Sequence, residues 1–371
     1  MRKIFETRWA LLIIVAFGLG ARMAAATLGQ NFDMNSWFVV ADIMSHGGNV
    51  YAETKRYNYG PVWFFILQGL DVLALHRHQI LRYLIAVFLS GVDVGIFLFL
   101  CRRVGRLAGV LFFLNPVSIL ITGYHSQFDN LAILMGLWSV WLFGDDFEKP
   151  VNRRKFFGLL VLGLSLMTKH LFFAFPLWLA VKQKGAKEKI LILVVPVACF
   201  LLGFAPYWGA GRQGIIEHVF HYDSCQGNYF FSFFVPQCIQ WCCSSRTWFF
   251  GLLVVFAFIC RARNGFESLL IYTGVLVACA PVSTNEYLAI PIALTAVFPS
   301  ALFALYSAIS LLHLSADVNG PHFLKAGLYI DLAIYVLACA LAWLFWRPLF
   351  LEWLRKVRQQ LAIQFEQFKQ G

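Results

Sequence analysis

Residues 9–28 read WALLIIVAFGLGARMAAATL, a stretch that is apolar apart from Arg22 and Thr27. A helix that crosses the hydrocarbon core of a bilayer needs about 20 such residues, and this stretch is too long for the core of a signal peptide. Similar stretches occupy residues 83–100, 190–207 and 328–344. Their recurrence predicts an all-α, polytopic integral membrane protein with roughly 11–13 transmembrane helices.

The composition favours the same class of protein. Of the 371 residues, 60% are hydrophobic and 13% are charged, more apolar surface than one soluble core can bury. The net charge of +11 is not evidence of a nucleic-acid partner, because the basic residues form short clusters between apolar stretches, as at residues 102–106 and 182–189. With no linker of biased composition, residues 1–371 are predicted to form a single domain.

The basic amino terminus, with Arg2, Lys3 and Arg8, predicts that the chain begins in the cytoplasm. The first helix would then deliver residues 31–60 to the opposite face as a first external loop. Alternation of sides predicts a second external loop over residues 209–246. Four cysteines lie in that loop, where disulfides can form with a pairing that the sequence leaves open. They are Cys225, Cys238, Cys242 and Cys243.

Two segments do not read as ordinary spans. Residues 61–75 are apolar but short, and counting them as a span would place Arg102 to Arg106 on the external face. They are predicted to be re-entrant or interfacial, and whether they cross stays open. Residues 347–371 have apolar side chains at spacings of three and four beside Arg355, Lys356 and Arg358, which predicts an amphipathic helix on the cytoplasmic leaflet.

The first external loop contains a candidate catalytic acid. Asp33 follows the first apolar stretch directly, and Tyr57 and Tyr59 come later in the same loop. A carboxylate in this position suits a general base that faces a hydroxyl acceptor, with aromatic rings to stack on sugars. Alternatively, Asp33 caps the amino terminus of a helix in the loop.

Three further polar islands interrupt the apolar chain. The first, HSQFDN at residues 125–130, follows a helix break predicted at Asn115-Pro116. The second includes Lys169 and His170; a lysine at the water boundary suits a lipid phosphate, although it could simply extend to the interface. The third, NEY at residues 285–287, reads either as part of a site or as a turn.

In this order, the islands resemble the GT-C superfamily of polyprenyl-phosphate-sugar-dependent glycosyltransferases. Residues 125–130 resemble the His-x-Gln-aromatic-Asn/Asp element of the dolichyl-phosphate-glucose glucosyltransferases of N-glycan assembly, and residues 168–170 resemble their Phe-Lys-His/Gln element. Asp33 followed by YNYGP at residues 57–61 is similar to prokaryotic members. The chain departs from the glucosyltransferases in having no acidic, His-containing first-loop motif and in having NEY where they have His-Glu-Lys.

The resemblance implies an inverting transfer of a hexose, glucose or mannose, from a polyprenyl-phosphate carrier to a glycan or glycolipid hydroxyl. Asp33 would be the base, and Lys169, His170 and His125 would bind the donor phosphate. The expected substrate contacts are Tyr57, Tyr59, Gln127, Asp129, Asn130, Glu286 and Tyr287. No metal or other cofactor is expected, because no second acid stands beside Asp33.

The expected partners are the lipid-linked donor, the acceptor and membrane lipids. The expected location is a bacterial or archaeal plasma membrane in preference to the endoplasmic reticulum, with the site on the non-cytoplasmic face. A secondary transporter or lipid flippase is the alternative. Transporters are commonly built from two matching halves with a site at the midplane. This chain has no such visible internal symmetry, and its polar islands gather on one predicted face.

Overall fold

The computed structural model describes residues 8–221, 245–282, 284–316 and 326–370. Within these ranges the chain is helical, with turns between helices and no β-strand, so the all-α prediction is confirmed there. The α-helices are α1 (Arg8–Thr27), α2 (Phe32–Ser45), α3 (Val50–Glu53), α4 (Pro61–Leu73), α5 (His78–Arg103), α6 (Arg106–Phe113), α7 (Pro116–Gly123), α8 (Asp129–Phe143), α9 (Arg153–Thr168), α10 (Phe175–Ala180), α11 (Ala186–Leu202), α12 (Trp208–Gly214), α13 (Ser245–Ile259), α14 (Gly265–Cys279), α15 (Ile292–Val297), α16 (Ala301–Ala316) and α17 (Ala326–Gln370).

Four helical segments are long and apolar enough to cross a membrane, and they coincide with the four apolar stretches recognised in the sequence. They are Trp9–Thr27, His78–Arg103, Ala186–Phe220 and Tyr329–Gln359. Helices α6 and α7 meet at a 50° bend and would make a fifth span if they cross together. The remaining apolar helices of the described ranges have 10–17 residues, so length and composition support four or five spans.

The segment predicted as the first external loop contains two helices, α2 and α3. Asn31 caps α2, its side-chain oxygen accepting a hydrogen bond from the Met34 amide at 3.2 Å. Asp33 lies in the first turn of α2, so the alternative in which Asp33 is the cap is wrong. The helix forms because it buries Met34, Trp37 and Val40 against the rest of the fold, a tertiary effect.

Helix α4 accounts for the short apolar segment at residues 61–75. Its 13 residues span about 20 Å, less than the roughly 30 Å of a bilayer core. Leu75 and His76 then adopt positive φ angles of 52° and 56° in the tight turn that leads into α5. These features agree with a re-entrant or interfacial segment, and whether it crosses stays open.

Two other segments also differ from expectation. The second external loop was predicted to begin at residue 209, but Trp208–Gly214 and the π-helical turn Ile215–Phe220 continue the helical run that begins at Ala186. Residues 222–244, which include all four cysteines of that loop, lie outside the described ranges. The tail from residue 347 is helical as predicted, but it is the continuation of α17 rather than a separate helix.

One buried ion pair joins the helices that surround the site. Arg22 of α1 and Asp93 of α5 are both fully buried, and Arg22 Nε donates to Asp93 Oδ2 at 2.8 Å. Thr122 of α7 and Asn130 of α8 donate to the same carboxylate at 2.7 and 2.6 Å. A buried carboxylate needs a partner, and the partners of Asp93 fix four helices relative to one another.

A close backbone approach brings the connection between α3 and α4 to the end of α9. A Cβ at Gly60 would collide with the backbone of Met167, so only glycine fits at this position. Tyr59 is thereby placed beside Lys169, whose ammonium lies 5.1 Å from the centre of the Tyr59 ring. Residues far apart in sequence meet here.

Candidate active site

Asp33 is held with one carboxylate oxygen occupied and one available. Its Oδ2 accepts hydrogen bonds from Gln127 Nε2 at 2.6 Å and from Asn31 Nδ2 at 3.0 Å. No donor among the described residues bonds to Oδ1. The two amides therefore orient the carboxylate and leave Oδ1 for a proton from a substrate.

The environment of Asp33 tunes its acidity. The pKa of Asp33 is raised to about 6, mainly by burial and secondly by the neighbouring Glu286 carboxylate. Lys169 and the two amide donors act in the opposite direction but do not overcome burial. A carboxylate with a pKa near 6 is ionised at neutral pH and is a stronger base than an ordinary aspartate.

The turn between α7 and α8 aims the island at residues 125–130 toward Asp33. Ser126 has a φ of +52°, a backbone conformation that residues other than glycine adopt rarely. Trp37 Nε1 donates to the Ser126 carbonyl at 3.2 Å and ties the turn to α2. His125 Nδ1 lies 3.2 Å from Asn31 Nδ2, which is placed to donate to it. Strained backbone of this kind is common where side chains must be aimed at a site.

Lys169 has a carboxylate partner that the sequence did not predict. At the carboxyl end of α9, its Nζ lies 2.7 Å from Asp129 Oδ2, with side-chain exposures of 5% and 0%. The ammonium also lies 5.3 Å from the centre of the Phe128 ring. The predicted phosphate ligand is therefore part of a buried ion pair, and its charge is shared with Asp129.

The island at residues 285–287 joins the same group. Glu286 lies in a 3₁₀ turn, Asn285–Ala289, and acts electrostatically on both Asp33 and Tyr59. His313 of α16 supports this turn, because its Nε2 is 2.7 Å from Asn285 Oδ1. The structure thus brings together islands that begin at residues 31, 125, 169 and 285.

Two of the predicted substrate contacts form hydrogen bonds within the protein. Tyr57 is fully buried, and its hydroxyl donates to the Gly60 carbonyl at 2.6 Å. Asn130 is buried and donates to Asp93, away from Asp33. His170 is half-buried with its ring 6.4 Å from that of Phe200, and no contact between His170 and Asp33 is found in the described ranges. The Tyr57 hydroxyl and the Asn130 amide nitrogen are therefore occupied by protein partners in this conformation.

Buried acceptor atoms at the site have no partner within the described part of the chain. They include Gln127 Oε1 and Asp129 Oδ1, both on side chains that are at most 1% exposed. The orientation of the Gln127 amide is chemically fixed, because its nitrogen must face the Asp33 carboxylate. Unsatisfied buried acceptors are costly, and the hydroxyl groups of a sugar are donors that would satisfy them.

Sequence reasoning missed Asn31 and His313 as members of the site. Asn31 could have been found as an amide two residues before the candidate base, whereas His313 had no signal in the sequence, because its partner is contributed by a different helix. In residues 8–221, 245–282, 284–316 and 326–370, no three His, Cys, Asp or Glu side chains cluster closely enough to hold a metal ion. The predicted absence of a metal is otherwise untested.

Comparisons of the chain with models of known families, with curated proteins and with solved structures gave no match. The resemblance carried by residues 33, 57–61, 125–130 and 168–170 therefore stays a prediction.

Proposed function

We propose that this chain is an inverting glycosyltransferase that moves a hexose, glucose or mannose, from a polyprenyl-phosphate carrier to a hydroxyl of a glycan or glycolipid. The observation that carries the proposal is Asp33, a carboxylate with Oδ2 fixed by two amides, Oδ1 available and a pKa of about 6. Asp33 lies beside acceptor atoms of Gln127 and Asp129 that have no partner among the described residues, which suits a substrate rich in hydroxyl groups.

The reaction is a single displacement. Asp33 Oδ1 removes the proton of the acceptor hydroxyl as that oxygen bonds to the anomeric carbon. The bond from the anomeric carbon to the phosphate oxygen breaks on the opposite face, and its electron pair leaves with the polyprenyl phosphate. The configuration at the anomeric carbon is inverted, and the proton on Asp33 passes to water.

Lys169 is the proposed electrostatic partner of the leaving group. Its buried ammonium is held in one position by Asp129 at 2.7 Å, so little reorganisation is needed as negative charge develops on the phosphate. A fixed charge of this kind stabilises the transition state more than a mobile surface lysine does. Part of its field is cancelled by Asp129, so Lys169 alone does not balance the donor phosphate.

The proposed setting is a bacterial or archaeal plasma membrane, with a GT-C-like arrangement of 11–13 spans and the site on the non-cytoplasmic face. The spans beyond the four or five long ones would be completed by the shorter apolar helices. The basic residues before α1 support a cytoplasmic amino terminus, and Asp33 lies just beyond the opposite end of α1.

The test is sugar transfer by purified protein in liposomes that contain polyprenyl-phosphate hexoses and extracted acceptors. Asp33→Asn should reduce release of polyprenyl phosphate by about 10²–10⁴-fold, because the amide cannot accept the proton. Asp42→Asn, on an exposed residue of the same helix, is the matched control and should retain wild-type turnover. Equal activity of wild type and a folded Asp33→Asn variant would remove the base assignment.

The second candidate function is transport of a solute or lipid, and the Lys169–Asp129 pair favours it. Buried ion pairs near bilayer depth are common in proton- and cation-coupled transporters. The same liposomes separate the two functions. Movement of solute or lipid across the bilayer, with no polyprenyl phosphate released from any donor, would replace the transferase proposal by transport.

A further inference from the structure

The charges of the candidate site do not balance those of the proposed donor. Among the residues that the structure describes, Asp33, Asp129 and Glu286 contribute three carboxylates, and the Lys169 ammonium is already paired with Asp129. A polyprenyl-phosphate sugar brings a further negative charge. Placing an anion beside uncompensated carboxylates is unfavourable, so the phosphate needs a cation other than Lys169.

Arg56 is placed to supply this cation. Its guanidinium lies 4.7 Å above the ring of Phe32, the residue that precedes Asp33 in the first turn of α2. Arg56 belongs to the connection between α3 and α4 that also positions Tyr59 in the site. We define the mouth of the site as Phe32, Asp33 and Arg56. It contains a base, Asp33, and a cation, Arg56, which contacts the residue next to Asp33.

The contacts of Arg56 leave its hydrogen-bond donors available. The side chain is exposed and makes no ion pair with any residue that the structure describes. Its backbone amide donates to Thr54 Oγ1 at 3.1 Å, which shapes the turn without using the guanidinium. Stacking on an aromatic ring occupies the face of a guanidinium, while its edge can still form two parallel hydrogen bonds to a phosphate.

We propose that Arg56 binds the phosphate of the lipid-linked donor at the mouth of the site, while Lys169 remains paired with Asp129 behind it. This inference rests on the proposed function, and it assigns to the exposed arginine the binding role that the sequence suggested for the lysine. The ligand is an isoprenoid monophosphate or its sugar ester, recognised through its phosphate oxygens.

The binding experiment titrates detergent-solubilised protein with a short-chain polyprenyl monophosphate and follows intrinsic tryptophan fluorescence. Arg56→Gln should weaken binding by about tenfold or more, the usual loss for hydrogen bonds to a charged group. Arg56→Lys should recover part of the loss, because an ammonium keeps the charge but not the paired hydrogen bonds. Lys55→Gln, which removes an adjacent exposed charge, is the control and should change binding by less than about twofold.

A turnover experiment separates binding from chemistry. Arg56→Gln should raise KM for the donor, with a much smaller change in kcat, because it removes a contact present both before and during transfer. Inorganic phosphate is titrated in parallel, and competition by phosphate alone would mean that the headgroup suffices without the lipid chain.

The outcomes distinguish this inference from the proposed function. Wild-type binding and turnover that are unaffected by Arg56→Gln would overturn the role of Arg56 and leave the transferase intact. An equal loss in Arg56→Gln and Lys55→Gln would also overturn it, because the effect would be one of general surface charge. Absence of binding and turnover in wild type would remove both.

Discussion

Two buried ion pairs in this molecule differ in how completely their charges are satisfied. In the Arg22–Asp93 pair, both side chains are fully buried and nearly every polar atom has a partner. Besides Asp93, the guanidinium donates to the Gly18 and Phe113 carbonyls and to Ser118 Oγ at 2.9–3.1 Å. Such a saturated pair has no capacity left for a ligand.

The Lys169–Asp129 pair is equally short but incomplete. Asp129 Oδ1 is buried and has no hydrogen-bond partner in the described part of the chain, and Glu286 adds an uncompensated carboxylate nearby. The first pair has the features of a structural link between helices, whereas the second has a buried acceptor that a ligand donor could satisfy. The comparison indicates that completeness of hydrogen bonding separates the two roles better than burial does.

The largest expected effect is on stability, from breaking the saturated pair. Arg22→Leu leaves the Asp93 carboxylate buried without its cation, which should cost about 3–5 kcal/mol in the free energy of unfolding. Thermal unfolding in detergent measures the loss. Arg22→Met combined with Asp93→Leu removes both charges and should recover most of the stability. An Arg22→Leu variant as stable as wild type would contradict the structural role.

For the Lys169–Asp129 pair, the expected effect is on turnover rather than on stability. Lys169→Met combined with Asp129→Leu removes both charges together, so folding should be retained. Turnover should fall by about 10²-fold or more, because the fixed charge beside the leaving phosphate is gone. Transfer assays and unfolding curves on the same preparation are the measurement. The matched double variant at Arg22 and Asp93 should keep its turnover once folded, and a large loss there would end the distinction between the two pairs.

Features of the fold that depend on neighbouring residues in the sequence, such as a helix break at a proline, were predicted correctly. The break at Asn115-Pro116 is present, with α6 ending at Phe113, α7 beginning at Pro116 and a 50° bend between them. Pro116 has no backbone N–H to donate and its ring clashes with the preceding turn, which favours a break at this position. The sequence offered a helix at α2 only as an alternative, because burial of Trp37 and Met34 by distant residues is what stabilises it.

The candidate site was predictable as a set of residues but not as a set of pairs. Asp33, Gln127, Asp129 and Lys169 could be identified because polar side chains in an apolar chain are costly to bury. Each of them needs water, a partner or a functional role. Which island contacts which depends on packing across 94 residues for Gln127 and Asp33 and across 40 for Lys169 and Asp129. Arg22 and Asp93 are each recognisable in the sequence as a charge within an apolar stretch. Their pairing cannot be predicted from the sequence, because it depends on how the two helices pack.

The smallest expected effect is a shift in the pH dependence of transfer. This shift is expected only from changes near the Lys169–Asp129 pair. Asp33 acts as a base only when ionised, so kcat/KM should fall as the pH drops below about 6, where its raised pKa lies, and level off above it. Glu286→Gln removes one of the causes that raise this pKa, while burial remains, so the acid limb should move to lower pH. The pH profile of polyprenyl-phosphate release measures both.

Glu217→Gln is the control for this shift, because Glu217 is an exposed acid whose removal changes the net charge by the same amount. Its acid limb should stay where the wild-type limb lies. If both glutamate variants moved the limb equally, the shift would report net charge, and Glu286 would have no special place beside Asp33. If neither moved it, the acidity of Asp33 would be due to burial alone, and the charge imbalance of the site would have to be compensated by another group.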